Sequence, residues 1–499
     1  MTPVIDGGTV REDRAETADT VVVGSGAGGA VVACELAEAG RDVLLLEEGR
    51  EFTRKDFNRR PVDMVPLLYR DVGLTSTIGL PAIPVPLGRT LGGTTTINSG
   101  TCLRTPDRVL EGWGRDFGLP DVTPAAMEPY FARVEQVQNV QPVKEAVLGK
   151  NARLFKRGAD KLGWGGHPLR RNVSDECRGC GVCCFGCPSD AKLAVNLTFI
   201  PRARAAGARV WTQARMTEVT LEGGRAVGVE ARLPDGHALR VRAKRVVLAC
   251  GTFHTAAFLL ARKLGNSSGL VGRGLTLHPA TRIAALFDEV IDGWQGVPQG
   301  YGVDRFSDEG IMLEGIQGPP GLIAPILPFV GAPFQELVHD LRKVATFGGL
   351  IKDGPNGRVR TFRGKPFITY FLSREDRAKA QKMMGLIAEV FLEAGAKRVL
   401  LPVMGFPELR GRDDLERFRR TEVRRSRLEM MAFHPLGTCR MGTDRTRSVV
   451  GPYGETHDVP GLWIADGSVV PTSLGVNPQI TIMSLAMRTA RAILAQAPQ

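Results

Sequence analysis

The chain has 499 residues, 60 of them glycine and 43% of them hydrophobic, so it can bury a large core and is expected to form about two to three domain-sized units. Lys and Arg outnumber Asp and Glu by 65 to 53, a net charge of +12. Because the arginines are spread along the chain and no nucleic-acid motif is present, the charge indicates a solvated basic surface and excludes nucleic acid as an expected partner.

Residues 1–18 are polar, with mixed charges and no apolar core, which predicts a flexible lead-in and not a secretory signal. The most apolar long stretch, residues 321–334, is interrupted by Pro325, Pro328 and Pro333, so it is too short and too broken to span a bilayer. We therefore expect a cytoplasmic protein without a transmembrane segment, for which contact with a membrane would be peripheral.

Residues 20–49 have the pattern of a βαβ unit that ends in an acid. A buried strand is predicted over 20–23, a glycine turn over 24–29, a helix over 30–39 and a second strand over 42–46, followed by Glu47. This arrangement predicts binding of a dinucleotide, but it does not distinguish FAD from NAD.

Each residue type of this unit has a physical reason. Gly24 permits the tight turn, Gly26 lets the backbone approach a pyrophosphate, and Gly29 lets the helix pack closely on the strand. The helix N-terminus faces the phosphate charge, and the carboxylate of Glu47 can accept hydrogen bonds from ribose hydroxyls. The predicted cofactor-binding residues of the unit are Gly24, Ser25, Gly26, Gly28, Gly29 and Glu47.

After an irregular, Pro-rich stretch over 50–87, residues 88–101 read GRTLGGTTTINSGT, a loop of small residues with exposed amides. Together with the βαβ unit, this loop resembles the glucose-methanol-choline (GMC) oxidoreductase family, whose signature reads GRxLGGSSxxN. Threonines replace the two serines here and keep the hydroxyl groups. The resemblance implies an FAD enzyme in which Gly93, Thr94 and Asn98 contact the flavin.

The resemblance extends along most of the chain. Residues 128–135 resemble the family's helix after that loop, and residues 215–229 read as a hairpin in which the resemblance assigns Met216 to the adenine. The strand predicted over 246–249 resembles the family's return to the cofactor sheet. Similarity fades between 276 and 430, where a substrate domain diversifies.

Two segments of that region have their own patterns. Residues 377–394 have a helical apolar stripe that ends at Gly395 and is interpreted as core. The apolar segment 321–334 is either ordinary packing or a lining for an oily substrate. The second alternative favours a long-chain or sterol-like alcohol.

Residues 434–442 read HPLGTCRMG and resemble the family's HxxGTCxMG, which makes His434 the catalytic histidine by resemblance. Asn477 occupies the place of the family's second active-site residue. A neutral imidazole takes the hydroxyl proton while hydride leaves the alcohol carbon for flavin N5. His254 and His278 are interpreted as structural, because each lies inside a backbone motif of the cofactor domain.

The C-terminal stretch 462–490 supplies the last cofactor contacts that the resemblance implies. Asp466 and Gly467 are expected at the pyrophosphate or ribityl region. Pro478 and Thr481 start the last helix, whose N-terminal end can face the N1 and O2 side of the flavin.

Residues 177–188 contain the spacing C-x2-C-x2-C-x3-C-P, formed by Cys177, Cys180, Cys183 and Cys187. This spacing is typical of bacterial ferredoxins and predicts an iron-sulfur cluster, with Cys187 the least secure ligand. Zinc, disulfides and unligated thiols are the alternatives. The patch also resembles both long-chain alcohol oxidases and iron-sulfur GMC dehydrogenases.

The sequence therefore predicts an α/β fold with a Rossmann-like FAD-binding domain of GMC type and a second, α+β substrate-binding domain. The expected segments are 15–105, 195–275 and 431–499 for the FAD domain, 106–194 for a cap with the Cys-rich loop, and 276–430 for the substrate domain.

The expected function is oxidation of a small-molecule alcohol by bound FAD. A sugar or polyol dehydrogenase that passes electrons through an iron-sulfur cluster to a carrier protein is the first alternative. A flavin lyase or decarboxylase and a silent FAD-binding protein are the others.

Overall fold

The computed structural model describes residues 1–324 and 327–496, without the side chain of Pro120. It confirms the predicted fold class, a Rossmann-like α/β domain joined to a second α+β domain. The helices are α1 (Ala27–Glu38), α2 (Pro61–Leu68), α3 (Thr94–Ile97), α4 (Asp107–Phe117), α5 (Pro124–Val137), α6 (Gly149–Lys161), α7 (Phe199–Ala205), α8 (Thr252–Arg262), α9 (Pro320–Ile323), α10 (Ala332–His339), α11 (Arg374–Glu393), α12 (Arg412–Arg420) and α13 (Gln479–Ala495).

The strands are β1 (Val4–Asp6), β2 (Arg14–Val23), β3 (Val43–Leu46), β4 (Val140–Pro142), β5 (His167–Pro168), β6 (Arg170–Asn172), β7 (Arg209–Thr212), β8 (Arg215–Glu222), β9 (Arg225–Arg232), β10 (Ala238–Leu248), β11 (Arg273–Leu275), β12 (Ala280–Leu286), β13 (Tyr301–Val303), β14 (Ile311–Glu314), β15 (Val344–Ile351), β16 (Gly357–Phe362), β17 (Lys365–Tyr370), β18 (Arg398–Leu400), β19 (Glu408–Leu409) and β20 (Leu462–Ile464).

The first sheet has eight strands. Strands β1, β7, β3, β2 and β10 pair in parallel in that order, and β20 also pairs with β10 in parallel. The hairpin of β8 and β9, whose strands are joined by Gly223 and Gly224, extends the sheet antiparallel to β10. Helix α1 packs against α7 and α13, which keeps the apolar runs of β2 and β3 buried.

The predicted βαβ unit is confirmed as β2, α1 and β3, and the predicted helix over 377–394 as α11. The flexible lead-in predicted for residues 1–18 is wrong. Val4 pairs with Val210 at one edge, and β2 already begins at Arg14, opposite Leu239 of β10. The polar residues of this segment are held by backbone pairing, which an apolar pattern does not report.

The second sheet has seven antiparallel strands in the order β19, β18, β12, β15, β14, β13 and β5. Helices α6 and α11 pack against its central strand β15 and bury the apolar stripe of α11. This sheet places the carboxyl end of β14 beside the first domain. The boundaries of the five predicted segments remain predictions.

The stretch 50–87, for which no periodic element was predicted, contains helix α2. No helix in the described parts of the chain combines the length and the apolar character needed to cross a membrane.

Candidate active site

A cavity of about 1360 Å³ opens where the strands of the first sheet end. Its walls include Gly24 after β2, Glu47 after β3, Cys250 after β10 and Asp466 after β20. Carboxyl ends of parallel strands are the usual ligand-binding edge of such a sheet, because the following loops and helix N-termini converge there. The second sheet contributes Glu314 to the same cavity.

The glycine turn has the geometry that the sequence predicts. Gly24 has a φ of +100°, and a Cβ atom on Gly24, Gly28 or Gly29 would lie 2.3, 1.7 or 1.9 Å from a backbone carbonyl oxygen. A Cβ atom on Gly26 would meet nothing within 4 Å. The turn is therefore closed on the protein side and open toward the cavity at Gly26, which leaves the backbone exposed to a ligand.

Glu47 is 6% exposed and lines the cavity. Its Oε2 accepts hydrogen bonds from the backbone N–H and the hydroxyl of Ser25, at 3.0 and 2.6 Å, and its Oε1 accepts one from the N–H of Gly49 at 2.8 Å. Burial raises the pKa of this carboxyl, while the hydrogen bonds from Ser25 and Gly49 oppose the shift. The carboxyl therefore also fixes the glycine turn, a role that the sequence did not suggest.

The loop 88–101 lies against the glycine turn. A Cβ atom on Gly93, the residue before α3, would come within 3.0 Å of the Cα of Gly26. The Thr94 hydroxyl accepts a backbone N–H of the same loop at 3.1 Å, and the Asn98 amide donates to the Gln479 side chain at 3.0 Å. Gly93, Thr94 and Asn98 all line the cavity, and their contact with the flavin stays a prediction.

Asp466, which lines the cavity after β20, is bound to the start of α8. Its Oδ2 accepts from the N–H of Gly251 at 2.9 Å and from the Thr255 hydroxyl at 2.5 Å. Burial raises the pKa of this carboxyl, against the effect of its hydrogen bonds. Gly467 and Met216 line the same cavity.

The start of α13 follows the prediction in part. Pro478 caps the helix and lines the cavity. Thr481 does not reach it: the side chain is fully buried, and its hydroxyl lies 2.7 Å from that of Thr105. Thr481 therefore stabilises the packing of α13 in this structure, because its hydroxyl faces Thr105 and not the cavity.

His434 and Asn477 are brought together at one wall of the cavity, although they lie in separate loops. The Asn477 Nδ2 atom is 3.4 Å from the His434 Nε2 atom and 3.5 Å from the Glu314 Oε1 atom. An amide nitrogen donates, so Nε2 is the accepting nitrogen of the imidazole. His434 Nδ1, Asn477 Oδ1 and Glu314 Oε2 are buried without a hydrogen-bond partner among the described residues.

Burial sets the ionisation of this group. It lowers the pKa of His434 to about 4, so the imidazole is neutral at pH 7. It raises the pKa of Glu314 to about 7, against the hydrogen bonds of the Asn477 and Gln299 side chains. Sequence reasoning missed Glu314. Its only signal is an acid at the end of the apolar run Ile-Met-Leu in β14.

The two other histidines of the cofactor motifs have different surroundings. His278 is fully buried and its Nε2 accepts the backbone N–H groups of Leu474 and Gly475 at 2.8 and 3.0 Å. His254, in α8, lines the cavity, and burial lowers its pKa to about 3. The contacts of His278 agree with the structural role expected for it.

The Cys-rich loop does not form a metal site in this structure. All nine cysteines are free, and among residues 1–324 and 327–496 no three His, Cys, Asp or Glu side chains are grouped to hold a metal ion. Cys180 is exposed, Cys183 is buried, and Cys177 and Cys187 are half-buried. These side chains are therefore not brought together as the predicted cluster requires, and the cluster stays a prediction that the structure does not support.

Two buried cations lie beside this loop. Arg171 is 1% exposed and donates to the Cys183 sulfur at 3.3 Å and to the Ser99 carbonyl oxygen. Lys192 is 3% exposed, and its Nζ donates to the carbonyl oxygens of Thr96 and Asn98 at 2.7 Å and of Cys183 at 2.8 Å. The Cys-rich loop is thus tied directly to the end of α3.

The apolar segment 321–334 does not line the cavity in its described residues. Ile323 and Leu327 pack with Leu337 and Val344 in a separate hydrophobic cluster on the second sheet. Pro325 lies outside the described residues. The described part of the segment therefore matches the packing alternative.

The family models agree with this architecture. Residues 65–280 match the N-terminal model and residues 356–486 the C-terminal model of the GMC oxidoreductases, and residues 22–72 match a Rossmann-like NAD(P)-binding domain. An uncharacterized GMC-type oxidoreductase of Mycobacterium tuberculosis is 41% identical over 95% of this chain and 75% of its own length. The chain belongs to the GMC oxidoreductase family. The enzyme class expected from the sequence, an oxidoreductase acting on CH–OH groups, is thereby confirmed.

Two further proteins, one compared by sequence and one by structure, are similar to this GMC oxidoreductase. The long-chain-alcohol oxidase FAO4A of Arabidopsis thaliana is 29% identical over 94% of the chain and 67% of its own length. The crystal structure of pyridoxine 4-oxidase from Mesorbium loti superposes with a TM-score of 0.74 at 19% identity, covering 96% of this chain and 100% of that one. The structural likeness supports the fold of this GMC oxidoreductase.

Proposed function

We propose that this GMC oxidoreductase binds FAD in the cavity and oxidises an alcohol to an aldehyde or ketone. The main support is the short distance between His434 and Asn477, whose Nε2 and Nδ2 atoms are 3.4 Å apart. Both residues line the same cavity as the open glycine turn. A neutral, half-buried base beside an amide suits removal of a hydroxyl proton.

The residues present fit the cofactor. The open backbone at Gly26 suits a pyrophosphate, Glu47 suits the ribose, and the walls at Gly93 and Pro478 suit the flavin ring. The cavity of about 1360 Å³ leaves space for the cofactor and a substrate. When bound, FAD supplies a two-electron acceptor for the hydride of the alcohol carbon.

The reaction that we propose uses two side chains of this chain. Nε2 of His434 accepts the hydroxyl proton, because burial lowers the pKa of the imidazole and keeps it neutral at pH 7. Asn477 holds the substrate oxygen through its amide and orients the carbinol carbon. Asn477 is buried and His434 is half-buried, so a bound substrate would cover both groups and shield the proton transfer from water.

For the substrate we propose an alcohol with an apolar body. The 29% identity to a long-chain-alcohol oxidase supports this choice, and Phe433 presents an aromatic surface beside His434. The described part of the segment 321–334 packs on the second sheet, so it does not support an apolar substrate. Electron transfer through the Cys-rich loop to a carrier protein is not part of the proposal.

The proposal is tested by anaerobic addition of primary alcohols to the FAD-loaded protein. We expect bleaching of the flavin absorption and formation of the aldehyde in equal amounts. Each buried methylene adds about 0.8 kcal/mol of binding, so kcat/KM is expected to rise along the series from ethanol to 1-octanol. Protein that binds FAD but is reduced by none of these alcohols, nor by a diol or amino alcohol, would refute the proposed function.

A further inference from the structure

His278 lies between the two loops that carry the proposed catalytic pair. Its own segment, residues 276–280, forms a backbone bridge at each end with the loop 431–436, which contains His434. The N–O distances of these two bridges are 2.8 to 3.1 Å. The backbone on both sides of His434 is therefore held by the segment of His278.

The side chain of His278 holds the second loop. Its Nε2 atom accepts the backbone N–H groups of Leu474 and Gly475 at 2.8 and 3.0 Å, in the turn that leads to Asn477. His278 and Leu474 are both fully buried, so water cannot replace this hydrogen bond unless the structure opens. One imidazole thus connects the loop of His434 with the loop of Asn477.

A second buried acceptor holds the same turn. The Asp353 Oδ1 atom accepts the Ser473 hydroxyl at 2.8 Å and the backbone N–H of His278 at 3.1 Å. Asp353 follows β15 and His278 precedes β12, and these two strands are neighbours in the second sheet. One end of the second sheet therefore fixes the turn 473–475 beside the cavity.

The backbone of His278 has an uncommon conformation. Its φ is +49°, in the left-handed region that L residues rarely adopt and that Asn accommodates better than most. The amide of an asparagine, however, ends about one bond short of the position of the imidazole Nε2 atom. The strained backbone and the reach of the ring together indicate that this position serves to accept the hydrogen bonds of the turn.

We propose that His278 is a positioning residue of the oxidation, which holds the turn 473–475 so that the Asn477 amide and the His434 imidazole contact one hydroxyl group. The inference rests on the proposed alcohol oxidation. The Asn477 Nδ2 and His434 Nε2 atoms are 3.4 Å apart, and an oxygen bound to both needs hydrogen bonds of about 2.7 to 3.0 Å. A shift of the turn by about 1 Å breaks one of the two contacts. His278 itself does not line the cavity, so it acts through the two loops.

Two replacements separate the hydrogen bonds of His278 from its backbone conformation. His278→Asn suits the φ of +49°, but its amide is too short to reach the turn 473–475. His278→Gln is less suited to this φ, yet its amide oxygen reaches the position of the imidazole Nε2 atom. A better result for the glutamine than for the asparagine therefore reports on the hydrogen bonds.

The control is Gln381→Met, which removes buried hydrogen bonds of similar kind at another place. The Gln381 amide donates to the carbonyl oxygens of Phe418 and Thr421 at 2.9 and 2.6 Å, between α11 and the end of α12. Gln381 does not line the cavity. The control thus lowers stability without a change in the turn 473–475.

Flavin reduction by 1-octanol is measured by anaerobic stopped flow on the FAD-loaded proteins, which gives the limiting rate and the dissociation constant separately. We expect His278→Asn to retain FAD and to lower the limiting rate at least about tenfold, because the two catalytic groups lose their alignment. The dissociation constant should change by less than about threefold, because the apolar body of the alcohol still binds. His278→Gln should stay within about threefold of the wild-type rate, and Gln381→Met should reduce at the wild-type rate.

A wild-type limiting rate in His278→Asn, an equal loss in the two His278 variants, or the same loss in Gln381→Met would overturn the inference. Amide hydrogen exchange of the oxidised, FAD-loaded proteins is a second measurement that needs no turnover. The N–H groups of Leu474 and Gly475 should be protected in wild type and in His278→Gln and exposed to exchange in His278→Asn.

Rapid exchange of these two amides in wild type would also overturn the inference, whether or not His278→Asn folds. Wild type that no alcohol reduces refutes the proposed function instead. The exchange data then decide alone whether His278 holds the turn.

Discussion

His278 and His434 meet edge to face, with their ring centroids 5.4 Å apart, and burial lowers the pKa of both imidazoles. His278 accepts two backbone N–H groups through Nε2, which requires its neutral form. Two neutral rings can share this space, whereas protonation of either would place a charge beside the other. This wall of the cavity therefore suits a neutral base, the role that we propose for His434.

Stability is expected to depend on pH through His434. Burial lowers its pKa to about 4 in the folded protein, against the ordinary histidine pKa of 6.5 that we take for the unfolded chain. Between these values the unfolded chain binds a proton that the folded protein does not, so stability falls as the pH drops from 6.5 to 4, by about 3 kcal/mol. Urea unfolding of wild type and His434→Gln at several pH values measures the difference.

Glu314 acts in the opposite direction over an overlapping range, because its raised pKa lets the folded protein bind the proton first. The wild-type curve alone therefore does not isolate the histidine. The difference between wild type and His434→Gln cancels the contribution of Glu314. Parallel curves for the two proteins would contradict the prediction.

Replacement of the proposed base should affect the chemistry and not the cofactor. His434→Ala is expected to retain FAD and to slow flavin reduction by at least about 10²-fold, because it removes the proton acceptor. Asn477→Ala should slow it less, since it removes one hydrogen bond. Stopped-flow reduction checks this, with the exposed His339→Ala as the control. Reduction of His434→Ala at the wild-type rate would remove His434 from the role.

Two glycines of the turn should affect different properties when they are replaced by alanine, one the affinity for FAD and the other the stability of the fold. Gly26 has φ −70° and open space where a Cβ would lie, so Gly26→Ala should fold normally but bind FAD at least about tenfold more weakly, because the methyl group occupies the approach to the pyrophosphate. Gly28→Ala should lose about 1–3 kcal/mol of stability, because its Cβ would overlap a carbonyl oxygen at 1.7 Å.

Urea unfolding without FAD and a flavin titration measure the two effects separately. Wild-type FAD affinity in Gly26→Ala would contradict the assignment of the open side of the turn.

The Cys-rich loop should behave as a loop of free thiols. A thiol reagent applied to the native protein is expected to label Cys180 first, because Cys180 is exposed while Cys34 is buried and burial raises the pKa of Cys34 to about 12. Cys180→Ser should abolish the fast phase, and the matched Cys34→Ser should leave it intact. Iron and acid-labile sulfide assays on anaerobically purified protein complete the test: about three or four irons per chain would restore the predicted cluster.

The parts of the fold that the sequence predicts well are those with a local pattern. The βαβ unit combines an apolar run, fixed glycine positions and an acid within one short stretch, and the stripe of α11 repeats at helical spacing. By contrast, Arg14 enters β2 only because β10 pairs with it from more than two hundred residues away. No local hydrophobic pattern reports that pairing.

The site shows the same division. His434 lies in a recognisable motif, whereas Glu314 reaches the cavity through the register of β14 between β13 and β15, which depends on long-range contacts. The cysteine spacing leads to a prediction that the structure does not support, because spacing fixes the order of the thiols along the chain but not their convergence in space.

The single ammonium of Lys192 holds three carbonyl oxygens from two loops, those of Thr96 and Asn98 at the end of α3 and that of Cys183. Opening either loop alone would leave a buried ammonium and its acceptors without partners, so the two loops open together as one cooperative unit. Amide hydrogen exchange in the Cys-rich loop is then expected to report the order of the loop 88–101, which lines the cavity. A ligand that rigidifies one of them slows exchange in both.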